Sequence, residues 1–438
     1  MYWERLERGD NENAFVLGNK RQIALSRGKS PMIEQIRFDN FKSFAFNEPI
    51  TLPRFFVLVG DNGAGKTNFC DAFDFTRDVL ERGLREALLD ERRGGFDNIV
   101  RGRDSKREIT CRFTFRGVKG PMACQRLEYQ FSVGLSGRKG QPMILNERLV
   151  GTSDEERTNY LDRTAGSSYV RNELAVGFDE ILEHDHSPAE WIETWEAEPD
   201  YLQVARLTDE RRFPALRCVR DALRSVLVLR PNPHALRQAA TVGGELRLGS
   251  GGEGLAAILD AADISQLDQL AALLREGDCF TESIRLLPAK PGQKVIGVLE
   301  RGQKEPYRPE QISDGTLRLL AMLAAITGAA PSISTLVIEE PENGIHFSRL
   351  SRLVELCRQR VQKDPNVQII LTTHSVPLLH ALQREEAMAV ARQNEVSEIL
   401  APPDKDKWER FREEAGYTIG DLYTTGLWPD LAPRRYTP

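Results

Sequence analysis

Residues 54–67 read Arg54-Phe55-Phe56-Val57-Leu58-Val59-Gly60-Asp61-Asn62-Gly63-Ala64-Gly65-Lys66-Thr67. A compact apolar run of strand length ends at a glycine, a glycine-rich octet follows, and Asn68–Leu89 then reads as a helix. The octet Gly60–Thr67 satisfies G-x-x-x-x-G-K-[ST] in full, and strand, loop and helix in that order are the setting the motif requires. Gly60, Gly63 and Gly65 allow backbone N–H groups to turn inward around phosphate oxygens, and the helix N-terminus adds partial positive charge. Asn62 and Asn68 complete this candidate nucleotide-binding set. Lys66 is expected to reach the β- and γ-phosphates, and Thr67 to offer its hydroxyl to Mg²⁺.

Upstream of the octet, Met32 opens an alternating stretch, with Ile33, Ile36, Phe38 and Phe41 as the expected buried set of a half-buried strand. Residues 1–31 read as an extension, and either Met1 or Met32 serves as the start. Downstream, Ile109–Phe115 and Leu127–Leu135 alternate like antiparallel strands, so residues 32–150 are expected to hold the loop and a β-subdomain. Residues 151–295 read as a compact, mainly helical insertion, with helices expected over Glu190–Glu198, Phe213–Ser225, Gly254–Ala262 and Ser265–Glu276. No a/d heptad is sustained there, which argues against a long coiled coil. Residues 296–400 resume alternating strands and helices, and 401–438 read as a C-terminal docking tail, with the aromatics of Gly416–Trp428 expected to pack on the rest of the chain or on a partner. Such alternation favours a mixed, partly parallel α/β sheet.

Three further segments carry chemistry. The apolar strand Leu336-Val337-Ile338 delivers Glu339 and Glu340 at its C-terminal end, the edge where open α/β sheets bind ligands. One carboxylate suits Mg²⁺, and its neighbour suits orienting and deprotonating a water. Ser313-Asp314-Gly315-Thr316 opens a helix expected over Ser313–Thr327, with Ser313 as N-cap, Gly328 as its end, and positions 317, 320, 321 and 324 on one apolar face. The buried-type strand Ile369–Thr373 ends at His374, one strand–helix–strand unit beyond the acidic pair, so that His374 can stand at the same phosphate edge.

Composition sets outer bounds. The 438 residues are long enough for two or three domains, and a net charge of −6 gives no global nucleic-acid footprint. The longest uncharged run, Leu319–Ile338, is cut by Gly328 and Pro331, so no membrane-spanning helix is expected. Six cysteines without a C-x-x-C pair suggest neither zinc nor a redox centre and fit a reducing, cytoplasmic setting.

In this order the four segments resemble an ABC-type ATPase of the RecF/SMC/OLD-like branch, often described as an AAA family ATPase. GDNGAGKT stands as Walker A, ISDGT as signature, LVIEEPENGIH as Walker B with D-loop, and TTHS as switch. The resemblance covers Met32 to about Leu379 and extends to FDNFKSF and to Leu229-Arg230-Pro231-Asn232-Pro233. It implies a dimer that sandwiches ATP and Mg²⁺, with Ser313, Asp314 and Gly315 completing the partner's site in trans. Thr67 and Glu339 would then hold the metal, Glu340 act as base, His374 contact the γ-phosphate or water, and Asn343 and His346 lie in the D-loop. Glu339 departs from the usual Asp. Gln125, Gln130 or the Arg93-Gly94-Gly95 segment stands in the Q-loop region. No Glu-Gly strand followed by Asp-x-Asp appears after His374, so no nuclease is expected within the chain. The resemblance to ATPases of the Septu and PARIS phage-defence type implies an oligomeric ATPase that gates a separate effector, such as a nuclease. Arginines at 92–93, 101–107 and 206–220 motivate the alternative, a RecF-like ATPase acting directly on DNA.

Overall fold

The structure, a computed structural model, describes residues 31–116, 126–136, 140–153, 157–164, 166–171, 192–209, 212–277 and 280–428. The expected extension before Pro31, Gln125 and the last ten residues lie outside them.

Strand β1 (Met32–Phe41) buries Ile33, Ile36, Phe38 and Phe41, as its alternation predicts, and a bulge between Ile33 and Gln35 accounts for the three-residue step. Strand β2 (Phe55–Val59) is buried throughout and feeds the glycine octet. Helix α1 (Lys66–Arg82) follows and stops at Gly83 (φ 88°), so the expected Asn68–Leu89 helix is two helices with a break. A side chain at Gly83 would strike the ring of Tyr201, which fixes the break to that residue.

An antiparallel meander comes next: β3 (Ile109–Arg116), β4 (Arg126–Ser136), β5 (Gln141–Thr152), β6 (Arg157–Thr164), β7 (Ser167–Arg171) and β8 (Ile192–Glu196). The helix expected over Glu190–Glu198 is therefore strand. Ile192, Thr194 and Trp195 are strand formers, and pairing of β8 along β7 from Ile192↔Arg171 to Glu196↔Ser167 satisfies an otherwise open sheet edge. Residues 151–295 are helical in their middle, through Gln203–Arg206, α2 (Pro214–Arg224), Leu255–Ala261 and α3 (Ile264–Gly277), but open in this meander. After α2 comes β9 (Val226–Leu229), and after α3 the hairpin β10 (Thr281–Pro288) and β11 (Gln293–Glu300).

The remaining elements are α4 (Asp314–Thr327), β12 (Thr335–Glu339), α5 (Leu350–Lys363), β13 (Gln368–Thr373), α6 (Val376–Leu379), β14 (Ala387–Gln393), β15 (Val396–Leu400), α7 (Lys405–Ala415) and α8 (Ile419–Thr424). The large sheet runs β8-β7-β6-β5-β4-β3-β1, crosses through Phe44–Ala45, and continues β15-β14-β2-β13-β12-β9. Strands β9, β12, β13, β2 and β14 pair in parallel, in the registers Leu229↔Ile338, Glu339↔Thr372 and Thr373↔Val59. Their C-terminal ends consequently share one edge.

Alternate residues of the central strands face opposite cores. Phe56, Leu58, Val337 and Ile370 pack with α1 and α2, whereas Phe55, Val57, Leu336 and Ile369 pack with α4 and α5. Helix α4 is capped by Ser313 and ended by Gly328 (φ 86°), as read from sequence, but it buries Leu317, Leu319, Leu320, Met322 and Leu323 rather than one narrow stripe. It lies between neighbours on several sides, so an apolar surface all round suits it.

Candidate nucleotide and catalytic site

The octet wraps the N-terminus of α1. Gly63 and Gly65 adopt φ 80° and 124°, left-handed values that only glycine holds without strain. Lys66 is buried, and its Nζ donates to the carbonyls of Gly60 at 2.7 Å and Asp61 at 3.2 Å, inside the loop where phosphate oxygens would sit. The floor joins Asn68 of the sequence-derived set and Ser43 of the FDNFKSF segment to Ser397, which sequence reading did not single out. Ser397 Oγ on β15 donates to Ala64 O at 2.6 Å and lies 2.8 Å from Ser43 Oγ, while Asn68 Nδ2 donates to the same Ser43 oxygen at 2.8 Å. Space decides this contact, since a side chain on Gly65 would meet Ser397 Oγ at 2.6 Å.

One strand over, β13 delivers His374, and β12 delivers Glu339 and Glu340. Glu340 sits at φ 46°, a strained value for a non-glycine residue, and its N–H donates to Thr372 O at 3.0 Å. Its two carboxylate oxygens are held separately: Asn343 Nδ2 donates to Oε2 at 3.0 Å, and His374 Nδ1 lies 3.3 Å from Oε1. The base candidate and the switch histidine are thus in direct contact within one chain. Glu342, absent from the sequence-derived set, accepts from Thr373 Oγ1 at 2.7 Å and from His374 N at 3.0 Å, and its Oε2 is buried without a partner.

Glu339 is paired with Arg230 Nε at the end of β9, and Arg230 Nη1 reaches Asp74, which is fully buried on α1. Asp71, Asp74 and Asp78 line one face of α1 and hold Lys42, Arg77, Arg82, Arg92 and Arg93. Burial first, then the neighbouring Glu339 carboxylate, pushes the Cys70 thiol far up. Cys70 stands one helical turn beyond Thr67 on the same face, so Glu339 and the exposed Thr67 flank the same end of α1.

Ser313, Asp314 and Gly315 do not join this cluster. Among the described residues, no hydrogen bond or ion pair links them to residues 60–68. Asp314 is held by Arg237 Nη2 at 2.6 Å, and Ser313 Oγ caps α4 by accepting from Thr316 N at 3.1 Å. Gly315 instead touches the D-loop of its own chain: a Cβ there would lie 2.3 Å from Gly344 O. His346 is exposed and its ring meets that of the exposed Phe347 at a tilt of 34°, with centroids 4.3 Å apart. A cavity of about 200 Å³ separates Arg230, Glu339 and Glu340 from Arg318 and Met322 on α4.

Residues 55–381, well over half of the chain, match the family described as "AAA domain, putative AbiEii toxin, Type IV TA system". The chain belongs to this AAA-domain family. An "ATP/GTP phosphatase" of Helicobacter pylori (strain ATCC 700392 / 26695) is 22% identical over 370 residues, covering 81% of this chain and 88% of that protein. A solved Smc head bound to the C-winged helix domain of ScpA superposes with a TM-score of 0.54 at 14% identity, over 85% of this chain and 98% of that one. A second Smc head, with an extended coiled coil and bound to the C-terminal domain of ScpA derived from Pyrococcus furiosus, gives 0.49 at 15% identity over 88% and 100%. The fold is that of an Smc head, and the AAA-domain chain is an ATPase.

Within this AAA-domain ATPase, several arginines of the clusters that motivated direct DNA binding have carboxylate partners in their own chain. Arg92 pairs with Asp74 and Asp90, Arg93 with Asp71 and Asp78, Arg107 with Asp104, and Arg206 with Glu198. Of the Q-loop candidates, Gln130 accepts from Arg112 within the meander, and Arg93 is buried against α1. No helix among the described residues is long and apolar enough to cross a membrane.

Proposed function

We propose that this AAA-domain protein hydrolyses ATP in a head-to-head dimer and that the hydrolysis cycle gates a separate effector, a nuclease, in bacterial anti-phage defence. One observation carries the trans arrangement. The phosphate loop, Glu339, Glu340 and His374 share one sheet edge, whereas Ser313–Gly315, at a capped helix N-terminus suited to a γ-phosphate, make no hydrogen bond or ion pair with their own loop among the described residues. A second copy is needed to bring the two together. The name of the Helicobacter pylori relative supports triphosphate hydrolysis.

In this reading Gly60–Lys66 bind the β- and γ-phosphates, with Lys66 exchanging its bonds to the Gly60 and Asp61 carbonyls for phosphate oxygens. Glu340, held by Asn343 and His374, orients the attacking water and accepts its proton. Thr67 and Glu339 offer the hard oxygen donors that Mg²⁺ prefers, flanking one helix end, and Mg²⁺ binding normally takes only one or two such protein ligands beside phosphates. When bound, Mg²⁺ neutralises charge on the bridging phosphates. Glu339 has to share its carboxylate with Arg230, so the longer side chain at this position leaves one oxygen for the cation and one for the guanidinium.

The gating half of the proposal rests on a complete ATPase head without a recognisable effector motif in the sequence. The test is the native mass of the Glu340→Gln protein with and without ATP, co-expressed with its genomic neighbour. An ATP-dependent dimer or larger assembly that retains the neighbour supports the proposal. A monomer indifferent to ATP overturns the sandwich, and an ATP-dependent dimer that ignores the neighbour overturns the gating.

A further inference from the structure

The C-terminal segment reaches the phosphate loop. Helix α8 is short, but it is fixed from several directions. Ile419 and Leu422 are buried, and Thr418 and Asp421 cap each other's backbone N–H groups. Thr418 Oγ1 lies 2.6 Å from His380 Nδ1, and Gly420 packs so closely on that imidazole that a Cβ would come within 2.8 Å of its Cε1. Beyond the helix, Trp428 is buried and its Nε1 donates to Ala401 O at 3.3 Å. From this mount Tyr423 donates its hydroxyl to Asp61 Oδ1 at 2.7 Å, a contact between residues 362 apart in sequence.

Asp61 is the second residue of the loop. It is exposed, its carbonyl accepts from Lys66 Nζ at 3.2 Å and from Ala64 N at 3.1 Å, and its carboxylate has Tyr423 as its hydrogen-bond donor. A carboxylate at the mouth of a cradle for anionic oxygens repels the ligand the cradle exists to bind, and it competes for Lys66. A donor that ties it to the Tyr423 side limits its competition for Lys66 and lessens both penalties before the nucleotide arrives. Burial and the contact with Asp61 push the Tyr423 phenol upward, so it remains a donor throughout the neutral range.

We propose that Tyr423 is a positioning residue for nucleotide binding, restraining the Asp61 carboxylate away from the phosphates so that Lys66 is free to meet them. The same helix rests on His380, six residues beyond His374, so the C-terminal segment bridges the phosphate loop and the strand exit that carries the switch histidine. This rests on the loop being the ATP site.

The test uses the full chain and a fluorescent ATP analogue, with steady-state kinetics alongside. Tyr423→Phe keeps the ring and removes the donor. The expected result is a Kd and KM raised about tenfold, the scale of one hydrogen bond to a charged group, with kcat within about twofold. In an Asp61→Asn background, which has no charge to restrain, Tyr423→Phe is expected to change Kd by less than about twofold. Lys66→Ala is the control and should abolish binding. If the control binds normally, the loop is not the nucleotide site and the proposal falls with it. If the control behaves but Tyr423→Phe leaves Kd unchanged, or weakens binding equally in both backgrounds, the tyrosine has no such role. A lowered melting temperature with unaltered Kd also overturns it, since that is the mark of a merely structural contact.

Discussion

Glu342 accepts the backbone N–H of His374 at 3.0 Å, and its Oε1 lies 3.4 Å from the Nδ1 of the same residue. His374 Nδ1 therefore faces two carboxylates, Glu342 and, at 3.3 Å, Glu340. A proton on Nδ1 would serve either carboxylate. Glu342 thus orients the histidine that touches the base candidate.

Replacing Glu342 by Gln tests this directly. The amide oxygen still accepts from Thr373 Oγ1 and His374 N, so the backbone geometry is kept while the charge facing Nδ1 is lost. The expected outcome is kcat lowered about 10- to 100-fold, typical of losing one member of a proton-handling set. Equilibrium affinity for ATP should stay within about twofold, because the phosphate loop and Lys66 are untouched. Turnover equal to wild type would remove Glu342 from the mechanism.

Arg230 joins three elements, since its Nε meets Glu339 on β12, its Nη1 meets Asp74 on α1, and it is itself the first residue after β9. Asp74 has no exposed surface, so removing one of its cations leaves buried negative charge partly unmatched. Arg230→Met is expected to cost about 3 kcal/mol in chemical unfolding, the lower end for breaking a buried ion pair. Arg230→Lys should recover little, because a point charge cannot serve both acids in the forked geometry. Full recovery by lysine would show that charge alone suffices.

Where local pattern decides structure, the sequence was informative. The glycine octet, the Ser313 cap, the Gly328 stop and the buried set of β1 each follow from residue type at fixed spacing. The parallel register that brings Glu339, Glu340 and His374 beside the loop follows from strand–helix–strand alternation. The misreadings have physical causes. Glu190–Glu198 carries a helical composition, yet an open strand edge was available to it, and tertiary pairing overrode propensity. Ser43 and Ser397 lie 354 residues apart, and nothing short-range joins a strand turn to the loop floor. Arg230 was visible only as part of a resemblance. The acidic face of α1 was open to discovery, since Asp71, Asp74 and Asp78 recur at helical spacing and signal a face that must meet cations.

Gly315 tests the link between signature and D-loop. Its missing side chain lets α4 approach Gly344 O, where a Cβ would stand at 2.3 Å from a backbone atom that cannot rotate away. Gly315→Ala must push the two segments apart. ATP binding to the isolated chain should survive, because the phosphate loop is untouched, while turnover is expected to fall at least about tenfold, since misplacement near 1 Å is costly to catalysis. Normal turnover would mean that the approach is dispensable.

The last prediction concerns pH and a site far from the nucleotide. Glu147 is buried in the meander, and burial pushes its carboxyl above the ordinary value of 4.5, against the opposing N–H donors of Val204 and Gln203, the Arg163 charge and the Tyr129 hydroxyl. Arg163 is shifted downward for the same reason. With the folded-state value raised, the folded chain keeps a proton that the unfolded chain has already lost, so stability falls as pH climbs from 4.5 through the folded value. Glu147→Gln removes that titration and retains an acceptor oxygen for the backbone donors. Urea midpoints measured between about pH 5 and pH 8 should therefore decline less in the variant than in the wild type. A variant that declines as steeply, or a wild type whose midpoint rises over that interval, would show that the ion pair with Arg163 outweighs burial and holds Glu147 ionised.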